Sequence, residues 1–130
     1  MGKWTKRQAI DFCLVYPDAY EDYPFDGDDW AVIRHTGNKR SFALIFEREG
    51  NIWMNCKAEP MTGEFFRNVF PAVLPAYHMN KTHWNSVILD GSMTADEVRA
   101  IVDGSYEITL KKSGKRPEIS KKSGASPNFQ

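Results

Sequence analysis

The chain of 130 residues is 42% hydrophobic and 26% charged, proportions typical of one globular domain with a buried core. Its 17 basic and 17 acidic side chains cancel, which argues against a strongly basic nucleic-acid binder but allows a local basic surface. The apolar runs are too short to cross a bilayer and the N-terminus lacks an apolar signal-peptide core, so we expect a cytoplasmic protein without membrane contact.

The charges are segregated along the chain although they cancel in total. Seven acids and no base lie between Asp11 and Asp29, whereas six bases and a single acid, Glu118, follow from Lys111 onward. A basic tail of this kind is often only a solvating extension. Because the acidic segment repels phosphate, nucleic-acid binding requires the acidic and basic groups to lie on different sides of the molecule.

The two cysteines, Cys13 and Cys56, lie within predicted core elements and form no C-x-x-C pair. This arrangement favours reduced, buried thiols over a disulfide or a metal-binding pair. Neither cysteine has an adjacent histidine in the sequence, so a thiolate nucleophile is unsupported.

The first predicted element is a helix over residues 5–16. Thr5 and Gln8 match a capping box, apolar residues recur at helical spacing, and Pro17 ends the helix. The segment 18–29 is predicted to be an acidic loop without a clear period. It carries three rings, which we expect to pin it to the core: Tyr20, Tyr23 and Phe25.

Three strand-like runs follow at 30–35, 41–48 and 52–57, separated by turns at 36–40 and 49–51. Short loops carrying Gly and Asn between such runs are typical of an antiparallel meander. Side-chain alternation places three large residues of the second run on one face of the sheet: Phe42, Leu44 and Phe46. The residues between them are also apolar, so we expect both faces to be partly buried.

A second helix is predicted from Pro60 to Phe70, because proline favours the first helical position. Its predicted buried stripe consists of Phe65, Phe66, Val69 and Phe70. An irregular connection bracketed by Pro71 and Pro75 follows. A further strand then runs from Trp84 to Leu89.

A third helix is predicted to begin at Thr94, which forms a second capping box with Glu97, and to continue to Leu110. Its apolar face is Val98, Ile101, Val102 and Tyr106. Gly104 costs about 1 kcal/mol relative to alanine inside a helix, so we expect a kink or fraying there. From residue 113 the sequence is rich in Lys, Ser, Gly and Pro and is predicted to be disordered in isolation.

The order of elements, α-β-β-β-α-β-β-α, predicts an α+β fold. The expected architecture is a two-layer α/β sandwich in which helices pack on a mainly antiparallel sheet. Residues 1–112 form the single predicted domain, and residues 113–130 form the basic tail.

The most distinctive stretch is 77–85, which reads Tyr-His-Met-Asn-Lys-Thr-His-Trp-Asn and contains two of the three histidines. Its mixture of stacking, hydrogen-bonding and cationic groups is more than an ordinary strand or helix needs and indicates a recognition loop. A structural interpretation is also open, in which Trp84 fills the core while Asn80 and Asn85 hold loop backbone.

This block, together with Tyr-Pro-Asp-Ala-Tyr-Glu at 16–21 and Trp-Ala-Val at 30–32, closely resembles the MmcQ/YjbR family. Phe70-Pro71 and Leu89-Asp90-Gly91 are further points of likeness. The resemblance covers residues 4–110 and implies a CyaY-like, frataxin-like fold. The family's usual label is a predicted DNA-binding protein with a double-wing motif. Gly104 departs from the pattern, because a larger residue is expected there.

DNA binding is the function that the resemblance implies. Wings are β-hairpins whose tips place cations against phosphates, and the turn 36–40 has that composition. The candidate phosphate contacts are Arg34, Lys39, Arg40 and Lys81, and the candidate contacts to bases or sugars are Asn80, His83 and Trp84, with His78 also a candidate. We expect DNA as the partner and a monomeric protein. The alternative for the turn is that its cations only solubilise it.

Other functions are weaker predictions. A protein-interaction or regulatory module without nucleic-acid binding would use the acidic aromatic loop 18–29. A metal site is disfavoured, because His78 and His83 have no third ligand at a standard spacing and 26–29 lacks the downstream glutamate of an EF-hand. The sequence has no G-x-S-x-G, P-loop or dinucleotide fingerprint. We therefore expect a non-enzyme without a cofactor or a metal.

Overall fold

The computed structural model describes residues 2–27 and 29–110. The elements in chain order are α1 Lys6–Leu14, β1 Ala19–Asp22, β2 Ala31–His35, β3 Ser41–Arg48, β4 Asn51–Lys57, α2 Pro60–Val69, β5 Val73–Pro75, β6 Trp84–Ile88 and α3 Ala95–Leu110. The tail predicted at 113–130 lies outside the described residues. Within the described part, no helix combines the length and the apolar character needed to cross a membrane.

The six strands form one sheet in the order β1-β2-β3-β4-β6-β5, and every neighbouring pair is antiparallel. The predicted α+β class is thereby confirmed. The chain leaves the sheet through α2 after β4 and returns at the far edge as β5. It then folds back as β6, which fills the position between β4 and β5.

Helices α1 and α3 pack side by side on one face of the sheet. The predicted capping box of Thr5 and Gln8 is present at the start of α1, and the predicted face of α3 is buried. Ser105 of α3 joins helix to sheet, because its hydroxyl accepts from the N–H of Lys57 at 2.8 Å and donates to the carbonyl of Phe42 at 2.6 Å. Ser105 thus links β3 and β4 beyond the point where their direct pairing ends.

The opposite face of the sheet is also buried, although loops cover it rather than helices. Leu44, Phe46 and Trp53 are 5%, 2% and 6% exposed. Trp30 stacks on Phe46 with ring centroids 4.1 Å apart, and the ring of Tyr77 lies 5.7 Å from the same phenylalanine. The prediction that both faces are apolar is correct, and the loops before β2 and before β6 serve as the second layer.

Phe42 corrects one detail of the predicted strand. The register between β2 and β3 runs from Ile33 opposite Ala43 to Arg34 opposite Ser41, so Phe42 is an extra residue in β3. This bulge turns its ring to the helix side, where it meets Tyr106 at 5.1 Å. Phe42 therefore does not share a face with Leu44 and Phe46.

One strand was not predicted, and another was predicted in number but not in position. β1 lies in the segment predicted as a loop. The predicted order has two strands between α2 and α3, and the first of them, β5, lies in the connection predicted as irregular. β1 has no alternation, since all four residues are half-buried, and its ladder with β2 decides its conformation. β5 is an edge strand of three residues that ends in Pro75, a residue that edges tolerate.

Helix α2 begins at the predicted Pro60 and ends at Val69, and its predicted buried stripe is half correct, because Phe66 and Phe70 pack against the core. Phe65 is 59% exposed and Val69 is 48% exposed, and together with Met61, which is 83% exposed, they form an apolar stripe in solvent. Gly63 is the buried residue of this helix. The predicted stripe is therefore divided between a side that packs on the core, with Phe66 and Phe70, and a side in solvent, with Phe65 and Val69.

Helix α3 passes through Gly104 without interruption from Ala95 to Leu110, so the predicted kink or fraying is wrong. A Cβ at Gly104 would meet no atom within 4 Å. The glycine is thus a local weakness in helix propensity and not a packing requirement.

The antiparallel order gives the sheet two ends with different loops. The hairpin end is where β2 and β4 finish and β3 and β6 begin, and it carries the turn 36–40, the connection 57–59 and His83. The acidic end is the opposite one, and it carries the loop 23–30 and the turn 49–50. Helix α3 finishes at the hairpin end, where Leu110 contacts the turn.

Candidate nucleic-acid interface

The tip of the β2–β3 hairpin is anchored by Asn38. Its side-chain amide donates to the carbonyl of Thr109 at 3.0 Å and contacts that of Leu110, and its side-chain oxygen accepts from the N–H of Arg40 at 2.8 Å. Lys39 takes a left-handed conformation with a φ of 65°. The exposed side chains of Lys39 and Arg40 form no hydrogen bond or ion pair with the described residues. The backbone is fixed while both cations point into solvent.

Arg34 stabilises the turn 36–40 by bonding its backbone. Its Nε lies 2.8 Å from a carboxylate oxygen of Asp22, and its Nη1 donates to the carbonyl of Lys39 at 2.9 Å. The side chain is 25% exposed. Its charge is paired with Asp22 and its Nε and Nη1 are engaged inside the protein, so this predicted phosphate contact instead supports the turn.

His35 lies beneath the tip and is 2% exposed. Its Nε2 lies 2.7 Å from the hydroxyl of Thr109, which itself donates to the carbonyl of Ser105, so we assign Nε2 as the donor. Burial, and then the nearby charge of Arg40, lower the pKa of His35. A neutral imidazole therefore links the hairpin to the last turn of α3.

Asn80 and Lys81 are engaged by their own loop. The side-chain oxygen of Asn80 accepts from the N–H groups of Thr82 at 2.8 Å and His83 at 3.2 Å. The ammonium of Lys81 donates to the carbonyl of Ala76 at 2.8 Å. Asn80 thus holds loop backbone, as the structural interpretation expects. Lys81 keeps its positive charge, because a carbonyl does not neutralise it.

His83 and Trp84 bring the block to the hairpin end. His83 is exposed and pairs through its carbonyl with the N–H of Ala58 at 2.9 Å. Trp84 is half-buried at the start of β6, opposite Lys57 of β4. Part of the indole is therefore accessible beside Lys57, and Trp84 does not fill the core.

The first two residues of the block lie elsewhere, over the loop-covered face. The carbonyl of Tyr77 accepts from the amide of Asn55 at 3.0 Å, and its N–H donates to the hydroxyl of Ser86 at 3.0 Å. His78 is exposed, and its ring lies 4.0 Å from that of Tyr77 and 6.5 Å from that of Trp30. His78 therefore neighbours the acidic loop and not the hairpin tip.

The last residue of the block, Asn85, is a core residue that is 2% exposed. Its side-chain oxygen accepts from a guanidinium nitrogen of Arg67 in α2. A Cβ at Gly63 would lie 2.7 Å from the amide nitrogen of Asn85, so this helix position requires glycine. Asn85 joins α2 to the sheet, in agreement with the structural interpretation.

The candidates that share the hairpin end are Lys39, Arg40, His83 and Trp84. They are carried by β6 and by the turn that leads into β3, and these two strands are two positions apart, so their backbones are separated by roughly 10 Å. The acidic loop 23–29 is at the other end of the sheet. Asp18 and Glu59 also lie at the hairpin end and offset part of its charge.

Lys57 is a member of this end that the sequence analysis missed. It is the last residue of β4, between the hairpin tip and Trp84, and it is half-buried. A lysine at the end of a strand gives no local signal. Only the strand order, which places β4 between β3 and β6, identifies it.

The described residues contain no group of three or more His, Cys, Asp or Glu side chains placed to hold a metal ion. Both cysteines are free and buried, as predicted. Burial raises the pKa of Cys13 to about 12, and burial also raises the pKa of Cys56 well above its usual value. Neither thiol is ionised near neutral pH.

The family comparison and the individual relatives identify the same protein family. The model of the family described as YjbR matches residues 14–108. The uncharacterised protein YjbR of Escherichia coli is 29% identical over 103 residues, which cover 79% of this chain and 85% of that protein. The uncharacterised protein YyaQ of Bacillus subtilis is 31% identical over 99 residues, which cover 68% of this chain and 83% of that protein.

Solved structures share the fold. A crystal structure of protein DR2400 of Deinococcus radiodurans superimposes with a TM-score of 0.75 at 30% identity, covering 86% of this chain and 83% of that one. A crystal structure of a Pseudomonas syringae protein gives a TM-score of 0.72 at 30% identity, covering 82% of this chain and 99% of that one.

Proposed function

Because this chain belongs to the YjbR family, we propose that it is a nucleic-acid-binding protein whose hairpin end contacts the phosphates of DNA. The observation that carries the proposal is the separation of charge between the two ends of the sheet. Exposed cations at the tip stand on the same end as His83 and Trp84, while the acidic loop 23–29 stands on the other. A phosphate backbone can approach the hairpin end without meeting that loop.

The tip is suited to phosphate contact because its backbone is held while its cations are free. Asn38 and Arg34 engage the backbone of the turn, so Lys39 and Arg40 require no rearrangement to meet a ligand. Preorganised cations lose less conformational entropy on binding than cations on a mobile loop. The roughly 10 Å between β3 and β6 equals the rise of about three base pairs.

Trp84, His83 and Lys81 form the second part of the proposed contact. A partly exposed indole offers a stacking or apolar surface for a base or a sugar, and the ammonium of Lys81 adds a phosphate contact. Arg34, Asn80 and His78 are left out of the direct contact. The first two are engaged inside the protein, and His78 lies beside Trp30.

The test is the affinity of the full-length protein for duplex DNA at low salt, measured by fluorescence anisotropy. Lys39→Ala combined with Arg40→Ala should weaken binding at least tenfold, as expected when two phosphate contacts are lost. The matched control is Lys3→Ala with Lys6→Ala, which removes two cations near the acidic end. The control should bind like the parent protein.

A second set of measurements uses a chain in which the basic tail cannot contribute to DNA binding. Its six bases, Lys111, Lys112, Lys115, Arg116, Lys121 and Lys122, are replaced together by serine in the full-length chain. The tip variant should still bind more weakly than its parent in this background. Equal affinities there would mean that DNA binding, if observed, belongs to the tail, and the proposal would fail.

A second candidate function is protein recognition through the acidic aromatic loop. The rings of Tyr23 and Phe25 are 50% and 44% exposed, and exposed rings make good anchors at interfaces. Tyr23→Ala combined with Phe25→Ala should abolish a co-purifying partner that survives high salt. Retention of every such partner by this variant would contradict this alternative.

A further inference from the structure

The rings near the acidic end lie in two layers on the loop-covered face of the sheet. Phe46 and Tyr77 form the lower layer, with centroids 5.7 Å apart. Trp30 stacks on Phe46 at 4.1 Å, and the ring of His78 lies 4.0 Å from that of Tyr77 at an angle of 40°. Trp30 and His78 are thereby neighbours in an upper layer, 6.5 Å apart, and His78 is exposed to solvent.

Phe25 and two acids border this upper layer. The ring of Phe25 stands at 85° to that of Trp30 with centroids 6.1 Å apart, and it is 44% exposed. Asp26 and Asp29 are exposed and adjoin Phe25 and Trp30 in the sequence. We name these five residues the acidic ring surface: Phe25, Asp26, Asp29, Trp30 and His78.

Cations suit this surface chemically. A ring face attracts an ammonium or guanidinium, and carboxylates beside it add Coulomb attraction. The neighbourhood already holds two cations in this way. Lys6 lies 5.9 Å above the ring of Tyr23 and donates to the carbonyl of Asp29, and the guanidinium of Arg48 lies 4.2 Å above the ring of Tyr77. A phosphate-bearing ligand would be repelled by the acids.

We propose that the acidic ring surface binds the chain's own basic tail through Lys121 and Lys122. The tail carries six bases and one acid, and it follows Leu110 directly at the hairpin end. Tethering makes the contact intramolecular, so an affinity too low to capture a free peptide is sufficient. The inference does not rest on nucleic-acid binding.

Chain length selects these two lysines from the six bases. The eight residues of β3 span roughly 26 Å from the hairpin end to the acidic end. The Cα of Arg116 is six residues beyond Leu110 and can lie at most about 22 Å from it, whereas the Cα of Lys121 is eleven residues beyond and can lie about 40 Å away, which also allows for the path around the edge of the sheet from α3 to the loop-covered face. Lys111 and Lys112 cannot leave the hairpin end.

The experiment is paramagnetic relaxation enhancement in the full-length protein, with a nitroxide attached at Ser123→Cys. The native thiols of Cys13 and Cys56 are buried and have raised pKa values, so they do not compete for the label. At low salt the amide signals of Phe25, Trp30 and His78 should broaden more than those of Asn38 and Arg40 at the hairpin end. At about 0.5 M salt the broadening should fall at least twofold.

Two charge-matched variants make the test specific. Lys121→Ser with Lys122→Ser should remove the broadening at the acidic ring surface, and Lys111→Ser with Lys112→Ser should leave it in place. Equal effects of the two pairs, or broadening confined to the hairpin end, would overturn the proposal.

The last variant changes the surface itself. Asp26→Asn with Asp29→Asn should reduce the broadening as strongly as the removal of Lys121 and Lys122. Mixing unlabelled isotope-enriched chains with spin-labelled chains identifies the source of the tail. Broadening of the enriched chains to the same extent as in the single-chain experiment would show docking on a second copy and would overturn the same-chain assignment.

Discussion

The turn 36–40 and the loop 77–83 have similar compositions, but the protein uses them differently. Each contains an asparagine whose side-chain oxygen accepts a backbone N–H two residues later, Asn38 from Arg40 and Asn80 from Thr82. In the turn, the cations Lys39 and Arg40 remain free of the described residues. In the loop, polar groups are largely engaged by the loop itself or by the sheet.

The difference shows that composition does not distinguish a binding loop from a structural one. What distinguishes them is whether the polar side chains satisfy their own backbone or remain available to a ligand. By that criterion the turn is a site of recognition that stands on a rigid base. The loop is chiefly a structural layer, and it contributes Trp84, His83 and the charge of Lys81 where it returns to the sheet.

The largest expected effect on stability concerns Asn55, which supports the loop 77–83. Asn55 is 0% exposed, donates to the carbonyl of Tyr77 and accepts from the hydroxyl of Ser86. Asn55→Ala removes both bonds and leaves two buried groups unsatisfied, so the free energy of unfolding should fall by about 3 kcal/mol. Urea unfolding measures this value. A loss below about 1 kcal/mol would show that the loop does not depend on this network.

A smaller effect is expected at the two asparagines that shape the turn and the loop. Asn80→Ala and Asn38→Ala should each lower the free energy of unfolding by about 1 kcal/mol, because each frees backbone groups that the side chain now bonds. Lys81→Ala is the matched control in the loop, with an expected change within about 0.5 kcal/mol. The assigned roles would be contradicted if Lys81→Ala proved the more destabilising change.

The stability of the protein should depend on pH through His35, which lies beneath the turn 36–40. Burial, and secondarily Arg40, lower the pKa of His35 in the folded protein. The unfolded chain therefore takes up the proton first, so stability is lost as pH falls below about 6.5 and is fully present above it. In Arg40→Ala, the decrease in the free energy of unfolding between pH 7.5 and pH 5.5 should be smaller than in the parent protein, as measured by urea unfolding at both pH values. An equal decrease in the two proteins would contradict the electrostatic coupling between Arg40 and His35.

Much of the fold was predictable from local sequence signals. The capping boxes at Thr5 and Thr94, the hairpin turn at Gly37-Asn38 and the strand 41–48 were all recognisable, because propensity, period and turn chemistry agree there. β1 was not predictable, since Ala-Tyr-Glu-Asp has little strand propensity and pairs only because β2 is beside it.

The candidate site was predictable only in part. Lys39 and Arg40 follow from the composition of the turn, and their exposure agrees with that expectation. The pairing of Arg34 with Asp22 depends on the β1–β2 ladder, and the position of Lys57 depends on the strand order. Both are long-range consequences of topology, which the spacing of residues along the chain does not encode. The exposure of Phe65 and Val69 in α2 was missed for the same reason.

The smallest expected effect on stability belongs to the tip cations. Lys39→Ala with Arg40→Ala should change the free energy of unfolding by no more than about 0.5 kcal/mol, because neither side chain bonds the described residues. Thermal and urea unfolding of the double variant provide the check. A loss above about 1 kcal/mol would assign these cations a structural role and would weaken the contrast with the loop.

The central claim is that the hairpin end meets DNA phosphates through these two cations. Its most direct test is the slope of log affinity against log salt for duplex DNA, measured with the serine-substituted tail. Loss of two phosphate contacts should reduce the magnitude of the slope by about 1.8 in Lys39→Ala with Arg40→Ala. Lys3→Ala with Lys6→Ala should leave the slope unchanged. Identical slopes for the tip variant and its parent would contradict the claim.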